Sequence, residues 1–292
     1  MKKHSVENEF IKVSVQETGA ELCSLINKET GKEHIWQANP EIWPSHAPNL
    51  FPIIGVLKES KFYHEGTEYR IPKHGFIRYN KNVRLKEKAK DQLVFELIYS
   101  EESLKMYPFK FDFRITFQLT GRSLTLKHQI INLDSEPMYF SLGGHPAFNI
   151  CLFEEEEISD YSIEFDQNMD LSRFILNEEG LVSHKTEPVL DNERKIRLTK
   201  KIFENDALIF KDIASKKANL VSRKNGKILS IEYKDFKNLG IWAKPGAPYV
   251  CIEPWLGIAD VEGTDQNLKN KEGIIKLAAA NEFNADYTIS IA

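Results

Sequence analysis

Phe111-Asp-Phe-Arg-Ile-Thr-Phe-Gln-Leu119 alternates apolar and polar residues without a break. In an extended chain successive side chains point to opposite faces. Phe111, Phe113, Ile115, Phe117 and Leu119 therefore share one side, and Asp112, Arg114, Thr116 and Gln118 the other. A helix would spread the same apolar residues around its circumference. The stretch reads as a strand with one buried face, and its neighbours repeat the pattern. Leu93-Val-Phe-Glu-Leu-Ile-Tyr99 precedes it, and residues 123–131 and 138–142 follow. Farther out, residues 11–15, 19–26, 33–37, 161–165 and 287–291 read as strands. Residues 62–71 form a hairpin around Gly66, and residues 218–222 and 228–233 flank the turn signal Lys224-Asn-Gly226. Asn49-Leu-Phe-Pro-Ile-Ile-Gly-Val-Leu-Lys58 is an apolar strand interrupted by proline and glycine, as one passing close to a ligand would be. Only residues 100–107, ended by Pro108, have a helical pattern. Residues 170–200 are polar and read as hairpins and loops, and the acidic run 154–157 reads as a solvated loop. More than a dozen short strands without βαβ alternation predict an all-β chain of large antiparallel sheets. No linker-like shift in composition divides residues 1–292, so a single domain is expected.

The chain has 292 residues, 41% apolar and 28% charged, with a formal net charge of -4. That is an ordinary globular mix, and its slight acidity argues against a nucleic-acid or membrane-surface partner. Cys23, Cys151 and Cys251 are odd in number and lack C-x-x-C spacing, so they read as buried thiols and not as a disulfide framework. The first residues, Met1-Lys-Lys-His-Ser-Val-Glu-Asn, lack the apolar segment of a secretion signal, and no apolar run is long enough to span a membrane. The expected location is the cytoplasm.

The chemistry gathers at strand ends. Ser141-Leu-Gly-Gly-His-Pro-Ala-Phe-Asn149 presents His145 after two glycines and before a proline that holds it extended. His74 lies in Pro72-Lys-His-Gly-Phe-Ile-Arg78, again between proline and glycine, with Arg78 four residues on. Asp206 precedes an apolar strand. Tyr249-Val-Cys-Ile-Glu-Pro-Trp-Leu-Gly257 places Glu253 at the end of a buried strand. Groups that give and take protons, with an arginine and a carboxylate to hold hydroxyls, suit chemistry on a sugar. Trp36, Trp43, Phe148, Trp242 and Trp255 offer faces for a pyranose ring. Taken singly, each also reads as a turn, cap or ion-pair residue. Two histidines and a carboxylate could hold a transition metal, but H-x-H or H-x-x-x-H spacing is absent and no metal is expected. Glu253 and Asp206 would also serve as the carboxylate pair of a glycoside hydrolase.

Several short motifs occur in a specific joint order: Gly19-Ala-Glu-Leu, Ile35-Trp-Gln, Ala47-Pro-Asn-Leu-Phe-Pro-Ile-Ile-Gly55, His74-Gly-Phe-Ile-Arg78, Tyr107-Pro-Phe109, Gly144-His-Pro-Ala-Phe148, Asn205-Asp-Ala-Leu208 and Glu253-Pro-Trp255. In this the chain resembles the aldose 1-epimerase (galactose mutarotase-like) family, in its LacX-type branch, from about residue 8 to the C-terminus. The resemblance implies a β-supersandwich and a cofactor-independent isomerase that interconverts the α and β anomers of an aldose. It implies that Glu253 is the general base at the anomeric hydroxyl, His145 the general acid at the ring oxygen, and His74 an assistant there. It also implies that Asp206 and, less directly, Arg78 bind hydroxyls, and that the protein is a monomer or homodimer. Two departures from typical galactose mutarotases stand out. Residues 56–58 read Val-Leu-Lys where those enzymes carry an arginine, and the second histidine is followed by Pro-Ala-Phe-Asn in place of an aromatic pair. Galactose specificity is therefore not implied. Lys58, Lys73, Arg78 and Lys244 near the site loops make a hexose 6-phosphate an alternative substrate, and Trp255 a wall of the sugar site. A non-catalytic carbohydrate-binding protein on the same scaffold is the other alternative.

Overall fold

The computed structural model describes residues 2–292 and is predominantly β, built on large antiparallel sheets. Its main sheet has 15 strands. Along it run Asn49–Leu50, Leu142–Gly144, Tyr249–Leu256, Asn238–Trp242, Leu208–Phe210, Tyr161–Leu176, Lys217–Ser222, Gly226–Glu232, Glu282–Ile291, Ser123–Asn132, Phe111–Thr120, Gln92–Ile98 and Arg84–Lys88. Ala147–Asn149 and Val182–Arg197 pair beside this path. A separate three-stranded sheet, Lys3–Glu7, Ile11–Gln16 and Glu21–Asn27, packs its Val13, Val15, Leu22 and Leu25 into the same core as Phe95 and Phe117. Among the described residues no helix is long and apolar enough to cross a membrane.

The alternation that opens the sequence is realised. Phe111, Phe113, Ile115, Phe117 and Leu119 are all buried, and the strand pairs with both Gln92–Ile98 and Ser123–Asn132. Fully burying one such phenylalanine contributes roughly 1.5–3 kcal/mol, so this face alone fixes the register of the sheet. Among the described residues the single α-helix is Glu101–Met106, started by a reciprocal Ser100–Ser103 capping box.

One expectation is sharpened and three are corrected. Residues 170–200 do form a hairpin, but a long and regular one in place of short hairpins and loops: most of them lie in two antiparallel strands, Tyr161–Leu176 and Val182–Arg197, joined by a turn at 177–181. Residues 33–37 form only isolated bridges, from Glu33 to Ile26 and from Ile35 to Phe148. Of residues 49–58 only Asn49–Leu50 is strand. In the acidic run, Glu156 is buried, because Tyr161 Oη, Ser222 Oγ (2.5 Å) and Asn225 Nδ2 (2.7 Å) all donate to its carboxylate.

Candidate active site

His145 and Glu253 meet because of register. Leu142–Gly144 and Ala147–Asn149 both pair antiparallel with Tyr249–Leu256, placing Gly143 opposite Trp255 and Ala147 opposite Cys251. The two flanks share one register, so the intervening residues cross over Glu253 with His145 above it. His145 Nε2 lies 3.3 Å from Glu253 Oε2. The backbone is pinned on either side: His145 N–H donates to Pro48 O (2.9 Å), and Ile252 N–H to Pro146 O (3.3 Å). Asn49, next to Pro48, is locked by donating to Gly19 O (3.0 Å) and Ala20 O (2.8 Å), while His128 Nε2 bonds its Oδ1 at 3.0 Å.

The glycines before His145 act by close approach, not by an unusual backbone. Neither Gly143 nor Gly144 has positive φ. A Cβ on Gly144 would stand 2.5 Å from Tyr287 Oη, and one on Gly143 would stand 2.8 Å from the Trp255 indole. Glu253 also departs from expectation. It sits inside the strand Tyr249–Leu256, not at its end, and is only 1% exposed.

These residues form the floor of a cleft of about 510 Å³, a volume typical of small-ligand sites. Trp43, Trp242 and Trp255 line it, and the Trp43 indole stacks on the His145 imidazole with centroids 5.0 Å apart. His74 joins from a residue in the left-handed region (φ 66°). Gly55 N–H donates to His74 Nδ1 (3.1 Å), so in the neutral ring the proton is on Nε2, the nitrogen free to donate. Burial holds the His74 imidazole well below its usual range, reinforced by His145, Lys73 and Arg78. His74 is thus a fixed neutral donor, its ring 5.7 Å from that of His145.

Burial also acts on the central pair. It pushes the Glu253 carboxyl well up, against the opposing fields of Lys73 and Arg78, and pushes the His145 imidazole down. Glu253 Oε2 has no hydrogen-bond partner, and neither does His145 Nδ1. The 3.3 Å contact is close but not a hydrogen bond. Two proton carriers are held side by side, desolvated and unsatisfied, which is the arrangement acid–base catalysis needs.

Asp206, Arg78 and Trp255 line the cleft as the sequence suggests. Asp206 is exposed and accepts from Ala207 N–H at 2.7 Å. Arg78 Nη2 reaches Ser45 Oγ at 3.4 Å, and Arg78 Nε is unpartnered. Lys58 does not line the cleft. Its N–H donates to Asp260 Oδ2 (3.0 Å), and its O accepts from Gln266 Nε2 (2.8 Å). Lys73 occupies the cleft instead, and among the described residues neither Lys73 nor Arg78 forms an ion pair. Lys244 reaches Glu41 O at 3.4 Å, outside the lining. Sequence reading takes Cys251 as a buried thiol, which it is, without placing it beside the site. It stands two residues before Glu253 on the same face of the strand, and a period-two count would have found it.

The pattern of the aldose 1-epimerase family matches residues 2–260. The plasmid and chromosomal forms of protein LacX from Lactococcus lactis subsp. lactis are each 32% identical over 295 residues, covering 98% of this chain and 98% of theirs. A galactose mutarotase related enzyme from Lactobacillus acidophilus superposes with TM-score 0.93 at 33% identity, covering 100% of this chain and 97% of its own. A galactose mutarotase-like protein from Lactobacillus casei gives TM-score 0.93 at 28% identity, with both chains covered completely. With this fold and this match over most of its length, the chain belongs to the aldose 1-epimerase family.

Proposed function

We propose that the protein is a cofactor-independent mutarotase acting on an aldose. The observation that carries this reading is the unsatisfied Glu253 Oε2, 3.3 Å from His145 Nε2 on the floor of a tryptophan-lined cleft. Glu253 takes the proton from the anomeric hydroxyl while His145 delivers one to the ring oxygen. The bond from C1 to the ring oxygen breaks, the C1–C2 bond rotates, and the ring closes on the other face with the proton transfers reversed. These roles need Glu253 ionised and His145 protonated, so the pair's one proton, which burial favours on the carboxyl, must stand on the imidazole when the sugar is bound; the cycle consumes and returns it and requires no external acid. His74 Nε2–H donates to the ring oxygen or a neighbouring hydroxyl, and Asp206 accepts from hydroxyls at the rim. Positioned acid–base groups of this kind contribute about 10²–10⁴-fold in rate.

The test is anomer exchange followed by NMR for glucose, galactose and their 6-phosphates. Acceleration for one sugar, abolished by Glu253→Gln and by His145→Asn, supports the reading. Binding without acceleration assigns the scaffold to a sugar receptor instead. The free cations Lys73 and Arg78 favour an anionic sugar as the second reading. On that reading Lys73→Met raises KM for a 6-phosphate at least about tenfold, about 1.4 kcal/mol, and leaves the free sugar unchanged. An equal effect on both sugars sinks it.

A further inference from the structure

Cys251 has no part in proton transfer, yet it stands against the two groups that do. His145, Cys251 and Glu253 are all buried, and each offers a ligand atom within 4.8 Å of the other two. The strand dictates this. Cys251 and Glu253, two residues apart, point to the same face, and the shared register hangs His145 over them. Glu253 Oε2 has no hydrogen-bond partner in a residue only 1% exposed.

The nitrogen–oxygen separation fits coordination, and Cys251 Sγ, within 4.8 Å of both atoms, needs to close by at most about 1 Å to reach its ligand position. With nitrogen and oxygen about 2.0–2.1 Å from a tetrahedral ion, two such ligands stand about 3.3 Å apart. The distance between His145 Nε2 and Glu253 Oε2 is 3.3 Å. The poor alignment that prevents a hydrogen bond between them is no obstacle to both facing a third atom. The donor set of one sulfur, one imidazole nitrogen and one carboxylate oxygen selects a borderline ion such as Zn²⁺ or Co²⁺ over Mg²⁺ or Ca²⁺, which prefer oxygen alone.

We propose that the floor of the cleft is a Zn²⁺ site, with His145, Cys251 and Glu253 as ligands and the fourth position open to the cleft, and that Zn²⁺ there switches the site off. The metal takes the lone pairs that would carry the proton. On binding, the Cys251 thiol proton and the proton shared by His145 and Glu253 pass to solvent, so affinity rises with pH. The proposal uses the same residues as the mutarotase reading but does not depend on that reading, because binding is read without turnover.

The experiment is a Co²⁺ titration of the full chain carrying Cys23→Ala and Cys151→Ala, which leaves Cys251 the only thiol. The expected result is one Co²⁺ per chain, with a thiolate-to-cobalt charge-transfer band and the intense visible bands of tetrahedral cobalt, all erased by Zn²⁺. Adding Cys251→Ser should remove the charge-transfer band and weaken Zn²⁺ binding at least tenfold, about 1.4 kcal/mol. If that variant does not fold, Glu253→Gln in the same background should weaken Co²⁺ binding by the same factor and keep the sulfur band. A Cys251-only protein without a charge-transfer band overturns the proposal. So does a wild-type Zn²⁺ affinity that neither substitution changes. Should anomer exchange be found, Cys251→Ser should keep the metal-free rate while losing inhibition by Zn²⁺.

Discussion

The protein buries two pairs of opposite potential charge, one in the main sheet and one in the segment that follows Tyr249–Leu256, and treats them differently. Lys271 Nζ lies 3.0 Å from Asp260 Oδ1, with both side chains under 5% exposed. The other carboxylate oxygen, Oδ2, accepts from Lys58 N–H at 3.0 Å. Both oxygens of Asp260 are thus engaged, and through Lys58 N–H and Val56 O the residue ties the segment that carries the cleft residues Gly55 and Val56 to the one that carries Ala259. His145 and Glu253 are also buried, with side chains 9% and 2% exposed, but Glu253 Oε2 and His145 Nδ1 have no partner. A buried polar group left unmade costs about 1–3 kcal/mol. One pair is therefore a fastener and the other a reserve, and the difference lies in how many bonds each oxygen makes, not in depth or distance.

The comparison is tested first where the expected effect is largest. Glu253→Gln should lower the rate of anomer exchange by about 10²–10⁴-fold while leaving thermal stability equal or up to about 2 kcal/mol higher, because an amide replaces a carboxyl the fold leaves unsatisfied. A large loss of stability would make Glu253 a fastener as well. Lys271→Met should do the opposite. It leaves Asp260 buried without its cation, and breaking a buried pair costs about 3–5 kcal/mol. Denaturant unfolding should show that loss, while the folded fraction keeps its rate per molecule. An unchanged midpoint would remove the distinction between the two pairs.

The sequence exposes the fold more readily than the site. Phe111 to Leu119 announces its strand because one face is wholly apolar. Beyond residues 161–165, Tyr161–Leu176 and Val182–Arg197 do not, because much of both strands is exposed and their pairing shifts register at Glu164/Met169, Met169/Leu171, Leu171/Ser172 and Phe174/Leu176. Backbone pairing holds them without apolar alternation. His145, His74 and Glu253 are visible as motifs flanked by proline and glycine, but their meeting is not. The 3.3 Å contact depends on a register shared by two short strands on opposite sides of a proline, and Pro254 masks the fact that Glu253 lies within its strand. Lys58 and Lys73 look equivalent in the chain. The turn at residues 58–60 spends Lys58 on backbone bonding, while Lys73, beside His74, faces the cleft.

His128 carries the comparison to its smallest effect. Like His145 it is fully buried, but its role is structural. Asn49 uses its amide hydrogens on Gly19 O and Ala20 O, so Asn49 Oδ1 must accept and His128 Nε2–H must donate. Burial pushes the His128 imidazole down to about 4 from an ordinary value near 6.5. Between those values the unfolded chain binds a proton that the folded chain refuses, so stability is complete above pH 6.5 and falls as the pH drops toward 4. One such group sets a slope of about 1.4 kcal/mol per pH unit. In His128→Gln the new amide can still donate to Asn49 Oδ1, yet it does not titrate. Denaturant unfolding between pH 4.5 and 6 should therefore show an acid dependence shallower by about one proton, with stability near pH 7.5 changed by less than about 1 kcal/mol and the rate of anomer exchange unaltered. An undiminished slope would mean that His128 is protonated in the folded protein, and that Asn49, which sets the carbonyl holding His145, is fastened in some other way.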